Sequence, residues 1–209
     1  MDDHDRILIP YKQAIPLIKE ADILLFRNTT ILAKLIQGFT QSQYDHAALA
    51  SNNCILEIIE FRPNRGGGAS VAAEIYLQTK SGKIDVYRPS NHYDSYYYDK
   101  ESNSVKQSKI VLNHKAVTNT MRSLTGLPYG WRRAWWIAKK YLMWLNLFYN
   151  VDDLTSDDRE AIIYPVCSTA IAYSFNQSGF DLIKNLGDKW NTPKDISESP
   201  LIHYLFTIV

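Results

Sequence analysis

Short apolar runs separated by polar positions divide the first part of the chain into a strand and a helix. Residues 21–26 form an apolar run interrupted only by Asp22, and such a run is typical of a buried strand. Apolar residues then recur at helical spacing over 31–36, and Thr29 or Thr30 is suited to cap that segment. We therefore predict a buried strand that leads into an amphipathic helix.

Residues 45–51 and 54–61 are two further apolar stretches, and they are joined by Asn52 and Asn53. Paired asparagines tolerate the positive φ that a two-residue hairpin turn requires, so this region predicts an antiparallel hairpin. Residues 84–88 predict one more strand, which a proline ends.

The second half of the chain combines a polar stretch with helical segments. Residues 90–108 are polar and rich in tyrosine, and they predict a variable, exposed loop. Apolar spacing predicts helices over 109–124, within the aromatic and basic segment 129–149, and over 166–175. This mixed order of strands, hairpins and helices favours an α+β fold over alternating βαβ units, and we expect one domain over the 209 residues.

Composition and charge narrow the range of functions. A net charge of +1 gives no field that would attract nucleic acid. Two cysteines, Cys54 and Cys167, do not form a disulfide framework, and the histidines lack metal-ligand spacing, so we expect neither a metal nor another cofactor. The acidic N-terminus lacks the apolar core of a signal peptide and no stretch is long enough to span a membrane, which predicts a cytoplasmic protein unless another delivery route exists.

Cys167 is the strongest candidate for chemistry. Pro165 marks a helix start, so Cys167 lies in the first turn of the predicted helix. The positive end of the helix dipole and the unpaired N–H groups there favour the thiolate, which is the nucleophilic form. The same N–H groups can stabilise an oxyanion. A buried structural cysteine is the alternative that this motif alone leaves open.

His46 and a glutamate complete a predicted catalytic triad. A two-residue turn places Ala48 opposite Glu57, so that His46 and Glu57 share a face of the hairpin and their side chains can meet diagonally. A carboxylate in an apolar strand also needs a partner. We therefore predict Glu57 as the group that orients His46, whereas a three-residue turn would favour Glu60.

Four stretches carry a resemblance to a known family. Residues 21–26 resemble its opening Gly-Asp-Ile strand, with alanine in place of glycine. Residues 43–49 resemble the strand that holds the base, residues 55–57 the strand with the acidic residue, and residues 165–168 the start of the nucleophile helix. In this order, the stretches resemble the circularly permuted members of the NlpC/P60 papain-like superfamily, the YiiX/YaeF-like group of permuted papain-like amidases.

The resemblance implies a fold and a reaction. It implies a permuted papain-like fold, in which the nucleophile helix packs on an antiparallel sheet. It also implies thiol chemistry on an amide or ester through a thioester, with Cys167 as nucleophile and His46 as base. Relatives place a tyrosine upstream of the cysteine, which makes Tyr129 a candidate substrate or oxyanion group, together with Ser168 and Tyr44.

Three functions remain open from the sequence. The first is an amidase or peptidase that acts on cell-wall peptides or related amides. The second is a lipid acyl hydrolase or acyltransferase of the lecithin–retinol acyltransferase or phospholipase type. The third is a binding module that keeps the fold without catalysis. The substrate is accordingly a small molecule, a peptide or a lipid.

The aromatic and basic segment 129–149 bears on the lipid alternative. Trp135, Leu142 and Leu145 share one face of the predicted helix, with arginine and lysine elsewhere. Such a face packs in a core, or it lines a substrate channel or contacts a lipid surface as a peripheral membrane helix.

Overall fold

The computed structural model of the protein describes residues 5–80, 82–130, 165–183 and 191–209. The strands are β1 (Leu8–Ile9), β2 (Ile23–Arg27), β3 (His46–Asn53), β4 (Ile55–Arg62), β5 (Gly67–Ala72), β6 (Lys83–Pro89), β7 (His92–Asp99), β8 (Ser104–Val111) and β9 (Ile202–Ile208). The helices are α1 (Tyr11–Ala14), α2 (Ile31–Thr40), α3 (Ala73–Gln78), α4 (His114–Ser123), α5 (Cys167–Gln177) and α6 (Pro193–Ser197). Residues Ile15–Leu17 and Pro63–Arg65 form single 3-10 turns.

Seven of these strands form one sheet in the order β1-β9-β6-β2-β3-β4-β5. All neighbours are antiparallel except β1 and β9, which pair in parallel. The predicted α+β class is confirmed, but the sheet is mixed rather than purely antiparallel. The parallel pair arises because strands near the two ends of the chain lie side by side, and the intervening chain supplies the long connection that parallel neighbours need.

The hairpin of β3 and β4 has a different register from the predicted one. Its turn centres on Cys54, which has a φ of 73°, and Asn53 pairs with Ile55. Ala48 therefore lies opposite Glu60 instead of Glu57. A shift of three residues is odd, and side chains alternate between faces, so every residue of β4 faces the side opposite to the predicted one.

The sheet is covered on both faces, which divides the core into two layers. Helices α4 and α5 pack on one face, and the buried side chains there include Ala47, Leu49, Ile59, Phe61, Met121, Ile171 and Phe175. Helices α1 and α3 lie on the other face, with Leu24, Phe26, Ala48, Ile58, Tyr76 and Leu77. Each fully buried apolar side chain contributes about 1.5–3 kcal/mol, so the two layers hold β2, β3 and β4 firmly in the middle of the molecule.

The region predicted as a loop over 90–108 is a second, two-stranded sheet made by β7 and β8. Tyrosines and β-branched residues favour strands even where the segment is polar and exposed.

The helix predicted over 109–124 begins only at His114. Asn113 caps it through Oδ1, which accepts from the N–H of Ala116 at 3.1 Å.

Within the described ranges, no helix has both the length and the apolar character needed to cross a bilayer.

Candidate active site

Cys167 is the first residue of α5, as the sequence predicts. The backbone is extended at Val166 and turns into the helix at Cys167. Thr169 stabilises this start, because its Oγ1 accepts from the N–H of Val166 at 3.0 Å and donates to the Val166 carbonyl at 3.1 Å. The backbone N–H groups of Ser168 and Ala47 hydrogen-bond to the Cys167 sulfur. The sulfur therefore lies where a helix dipole and two backbone donors favour negative charge.

His46 is the first residue of β3 and lies beside Cys167. Its ring packs against Phe26 of the neighbouring strand at a centroid distance of 5.1 Å, which restricts its rotation. Its Nε2 is 2.9 Å from Oε2 of Glu60, and the ring also hydrogen-bonds to Cys167. Because Glu60 occupies Nε2, Nδ1 is the nitrogen left for the thiol. The three side chains thus form a line from sulfur to imidazole to carboxylate.

Glu60 is fully buried on β4 and has several partners besides His46. Its Oε2 accepts from Nε of Arg62 at 2.5 Å and from the Tyr76 hydroxyl, and its Oε1 lies 3.3 Å from Nε of Arg65. Burial alone would raise the pKa of Glu60, but the hydrogen bond and charge of His46, with Arg62 and Tyr76, lower it to about 2. Glu60 is therefore a fixed carboxylate at any physiological pH.

The pKa shifts of Cys167 and His46 point in opposite directions. Burial opposes ionisation of the thiol, yet the charge of His46 and the hydrogen bonds to the sulfur outweigh it and lower the pKa of Cys167. Burial likewise opposes the imidazolium, and Cys167 and Glu60 together reverse this and raise the pKa of His46. Both shifts stabilise the pair as thiolate and imidazolium, which is the reactive form of a catalytic cysteine.

Tyr129 reaches the site through an unusual backbone contact. The glycine-rich start of β5 lies against residues 126–130, with the N–H of Gly68 donating to Leu127 at 3.1 Å and the N–H of Tyr129 donating to Gly66 at 3.2 Å. A Cβ on Gly67 would lie 1.9 Å from the Leu127 oxygen, and Gly67 has a φ of 144°, so no other residue fits. Burial and, after it, the charge of Cys167 raise the pKa of Tyr129, so the two groups interact electrostatically.

Glu57 does not contact His46. It lies opposite Ser51, on the sheet face that α4 covers. Its carboxylate pairs there with the partly exposed Arg122 of α4 at 2.6 Å. The prediction that Glu57 orients His46 is therefore wrong in its geometry, and Glu60 occupies that place. The cause is the position of the turn, which centres on Cys54, whereas the two asparagines indicated a turn formed by Asn52 and Asn53.

The other predicted site residues divide between the site and its surroundings. Ser168 contributes its backbone N–H to the sulfur, but its hydroxyl donates to the Asn191 carbonyl at 2.5 Å. The Tyr44 hydroxyl donates to the buried Asp85 at 2.8 Å and is therefore committed to another polar cluster. The predicted channel or lipid-contact side chains, Trp135, Leu142 and Leu145, lie outside the described residues.

Sequence reasoning did not single out Arg62 and Tyr76 as site residues. Arg62 lies on β4 two residues after Glu60, so its position follows from the strand period once Glu60 is known. Tyr76 comes from α3, and nothing in the sequence connects it to β4. The three-residue alternative for the hairpin turn was the signal for Glu60 itself.

No protein-family model matches the chain, and no curated protein is significantly similar in sequence. Among solved structures, the chain is similar to the metalloprotein yiiX from Escherichia coli O157:H7, with a TM-score of 0.55 and 13% identity. The match covers 90% of this chain and 96% of that chain. At this identity the likeness concerns the fold, and it extends over nearly the whole of both proteins.

Proposed function

We propose that the protein is a cysteine hydrolase that cleaves an amide or ester bond through a thioester, with Cys167 as nucleophile, His46 as base and acid, and Glu60 as the positioning residue. One observation carries the proposal: a buried imidazole lies between a thiol at a helix N-terminus and a fully buried carboxylate. A structural cysteine needs neither partner, whereas a nucleophilic one needs a base that a third group orients.

The proposed reaction begins with transfer of the Cys167 proton to His46. The thiolate attacks the carbonyl carbon, a carbon–sulfur bond forms, and the carbonyl electron pair moves to oxygen. N–H groups at the start of α5 and the Tyr129 hydroxyl are the candidate donors to this oxyanion. The oxyanion then collapses, the carbon–nitrogen or carbon–oxygen bond breaks, and the imidazolium protonates the leaving group. His46 next takes a proton from water, which attacks the thioester, and cleavage of the carbon–sulfur bond releases the acid and restores the Cys167 thiolate. Glu60 stabilises the imidazolium throughout.

The proposal includes a permuted papain-like arrangement of the fold. The chain order His46, Glu60, Cys167 is the order that permutation of a cysteine, histidine, polar-residue sequence produces. The packing of α5 on the sheet beside β3 and the likeness to yiiX support this arrangement.

The description of yiiX as a metalloprotein raises the question of a metal in this chain. In the described ranges, no three His, Cys, Asp or Glu side chains are grouped as a metal ion would require. Glu60 also faces away from Cys167, with His46 between them, and its oxygens lie against Arg62 and Arg65. The residues do not fit a metal at this site, and no step of the reaction is assigned to one.

A lipid acyl hydrolase is the second candidate, and helix α2 favours it. Ile31, Leu35 and Phe39, spaced at four residues, are 83%, 51% and 37% exposed, whereas Ala33 and Thr40 face inward. The helix therefore presents its apolar side to solvent, which is unusual for a helix at a protein surface. Since the loop after α2 leads directly to His46, an acyl chain or bilayer surface could lie against this helix beside the site.

The test is capture of the acyl-enzyme. Wild-type protein and the Cys167→Ser and Cys54→Ser variants would be incubated with peptide amides and, separately, with phospholipids, and the Cys167 peptide would be examined by mass spectrometry. We expect the mass of an added acyl group on Cys167 in wild type and Cys54→Ser. The compound class that produces this adduct, peptide amide or phospholipid, identifies the class of substrate. Binding of either compound class with no acyl adduct and no product would instead indicate a non-catalytic binding module.

A further inference from the structure

A group of cations surrounds Glu60 on the side away from Cys167. Arg62 donates to Glu60 and, through one terminal nitrogen, lies 3.3 Å from the Tyr76 hydroxyl. The Arg65 guanidinium lies 5.9 Å from the centre of the Tyr76 ring, and Nζ of Lys80 lies 4.1 Å from the same centre. Three cationic side chains from β4, the turn after it and the end of α3 therefore meet around one tyrosine ring.

The positive charge in this group exceeds the negative charge. Glu60 is the carboxylate that pairs with Arg62 and Arg65, and in the described part of the chain Lys80 forms no ion pair. Burial lowers the pKa of Lys80, and the charges of Arg62 and Arg65 lower it further. Arg62 and Arg65 thus share one carboxylate with His46, and Lys80 lies beside them with no carboxylate partner in the described ranges. An anion that entered the group would reduce this repulsion.

The donors that remain are accessible. Arg65 uses Nε toward Glu60, its side chain is 37% exposed, and its two terminal nitrogens have no partner within the ranges the structure describes. Such a fork matches the two oxygens of a carboxylate or phosphate. The turn Pro63–Arg65, closed by the N–H of Gly66 on the Pro63 carbonyl at 3.1 Å, fixes the position of Arg65 beside the glycine-rich strand that holds Tyr129.

We propose that Arg65 and Lys80, supported by Arg62, form a binding site for an oxyanion ligand, a carboxylate or a phosphate, on the side of Glu60 away from Cys167. This site is separate from the proposed reaction at Cys167, because the buried side chains of His46 and Glu60 lie between it and the sulfur.

Thermal unfolding with inorganic phosphate tests the site without any turnover. A ligand that binds only the folded protein raises Tm in a concentration-dependent way, from which Kd follows. At ionic strength matched with chloride, we expect phosphate to stabilise the wild type. Lys80→Gln and Arg65→Gln should each weaken phosphate binding by about ten-fold or more, since each removes a charge-assisted contact. Lys100→Gln is the matched control, because Lys100 is exposed between β7 and β8.

N-acetylglycine and glycerol phosphate, used in place of phosphate, distinguish a carboxylate from a phosphate source. An increase in Tm with either compound supports the site, and the compound that gives the larger increase shows whether the site prefers a carboxylate or a phosphate. No shift beyond that of chloride with any of the three anions, or equal shifts in Lys80→Gln, Arg65→Gln and Lys100→Gln, would overturn the proposal. Selective alkylation of Cys167 by iodoacetamide in the wild type tests the proposed function separately, so the two failures are distinguishable.

Discussion

The Nε2 atom of His46 and the Oε2 atom of Glu60 lie 2.9 Å apart, both buried, on adjacent strands of the central sheet. This contact restricts the ring and directs the other nitrogen toward Cys167. It also determines which carboxylate should influence the chemistry of the thiol.

Glu60→Gln should shift the reactivity of Cys167 to higher pH. Loss of the carboxylate lowers the pKa of His46, the imidazolium becomes less stable, and the thiolate loses its counter-ion. The rate of iodoacetamide alkylation of Cys167, measured as a function of pH, should therefore increase at a higher pH than in wild type. Turnover of any substrate should fall by about 10²- to 10⁴-fold, as expected when the positioning member of a triad is neutralised.

Glu57→Gln is the matched control for that experiment, because Glu57 pairs with Arg122 on the surface. It should leave both the alkylation profile and turnover close to wild type. An effect of Glu57→Gln as large as that of Glu60→Gln would show that the β3–β4 register described above is wrong.

Stability in acid should depend on Glu60 as well. The pKa of Glu60 is lowered from 4.5 to about 2, so the folded state binds this proton less readily than the unfolded state. The stabilisation is complete above about pH 5 and is lost as pH falls toward 2, and a shift of this size corresponds to about 3 kcal/mol. Urea unfolding at several pH values between about 6 and 3 measures it. Wild type should lose more stability over this interval than Glu60→Gln does; parallel losses would contradict the prediction.

The turn of the β3–β4 hairpin can be tested at Cys54. This residue is exposed and has a φ of 73°, a conformation that glycine adopts without strain. Cys54→Gly should therefore raise the free energy of unfolding by about 1 kcal/mol. In the two-residue turn predicted from the sequence, Cys54 would be an ordinary strand residue, and the same substitution would destabilise the hairpin. The sign of the change distinguishes the two registers.

Gly67 should tolerate no side chain. Alanine there would collide with the Leu127 carbonyl, so Gly67→Ala should cost about 1–3 kcal/mol of stability and displace the segment that carries Tyr129. Gly38→Ala is the control, because Gly38 lies in α2 with open space around it, and alanine there should stabilise the helix by up to about 1 kcal/mol. A neutral Gly67→Ala would contradict the close contact between β5 and residues 126–130.

Local signals in the sequence predicted much of the framework. The apolar run before Thr30 is β2, Thr30 caps α2 through a bond of 3.2 Å from the N–H of Ala33, and Cys167 begins α5. Each depends on a few adjacent residues. Ala21 is also informative, because it has a φ of 63°, where glycine is favoured, and it stands where the resembled Gly-Asp-Ile strand has glycine.

Two features that the sequence did not predict are the turn of one hairpin and the strands of another. The register of β3 and β4 depends on which residue takes the positive φ, and this residue is Cys54 although asparagine adopts that conformation more often. The polar, tyrosine-rich composition of residues 90–108 predicts a loop, yet β7 and β8 pair there and pack on the core through Tyr93, whose ring centre lies 5.0 Å from that of Phe180. Tyr93 and Phe180 lie far apart in the chain, so no local pattern indicates their contact.

The central claim is that Cys167 is the nucleophile, and competition between the two cysteines for a limiting amount of iodoacetamide tests it most directly. Cys54 is exposed and Cys167 is only 7% exposed, so accessibility alone favours Cys54. The thiolate at Cys167 should reverse that order. Peptide mapping at neutral pH should find Cys167 modified first in the folded protein and both cysteines modified equally in denaturant. Modification of Cys54 first in the folded protein would contradict the account.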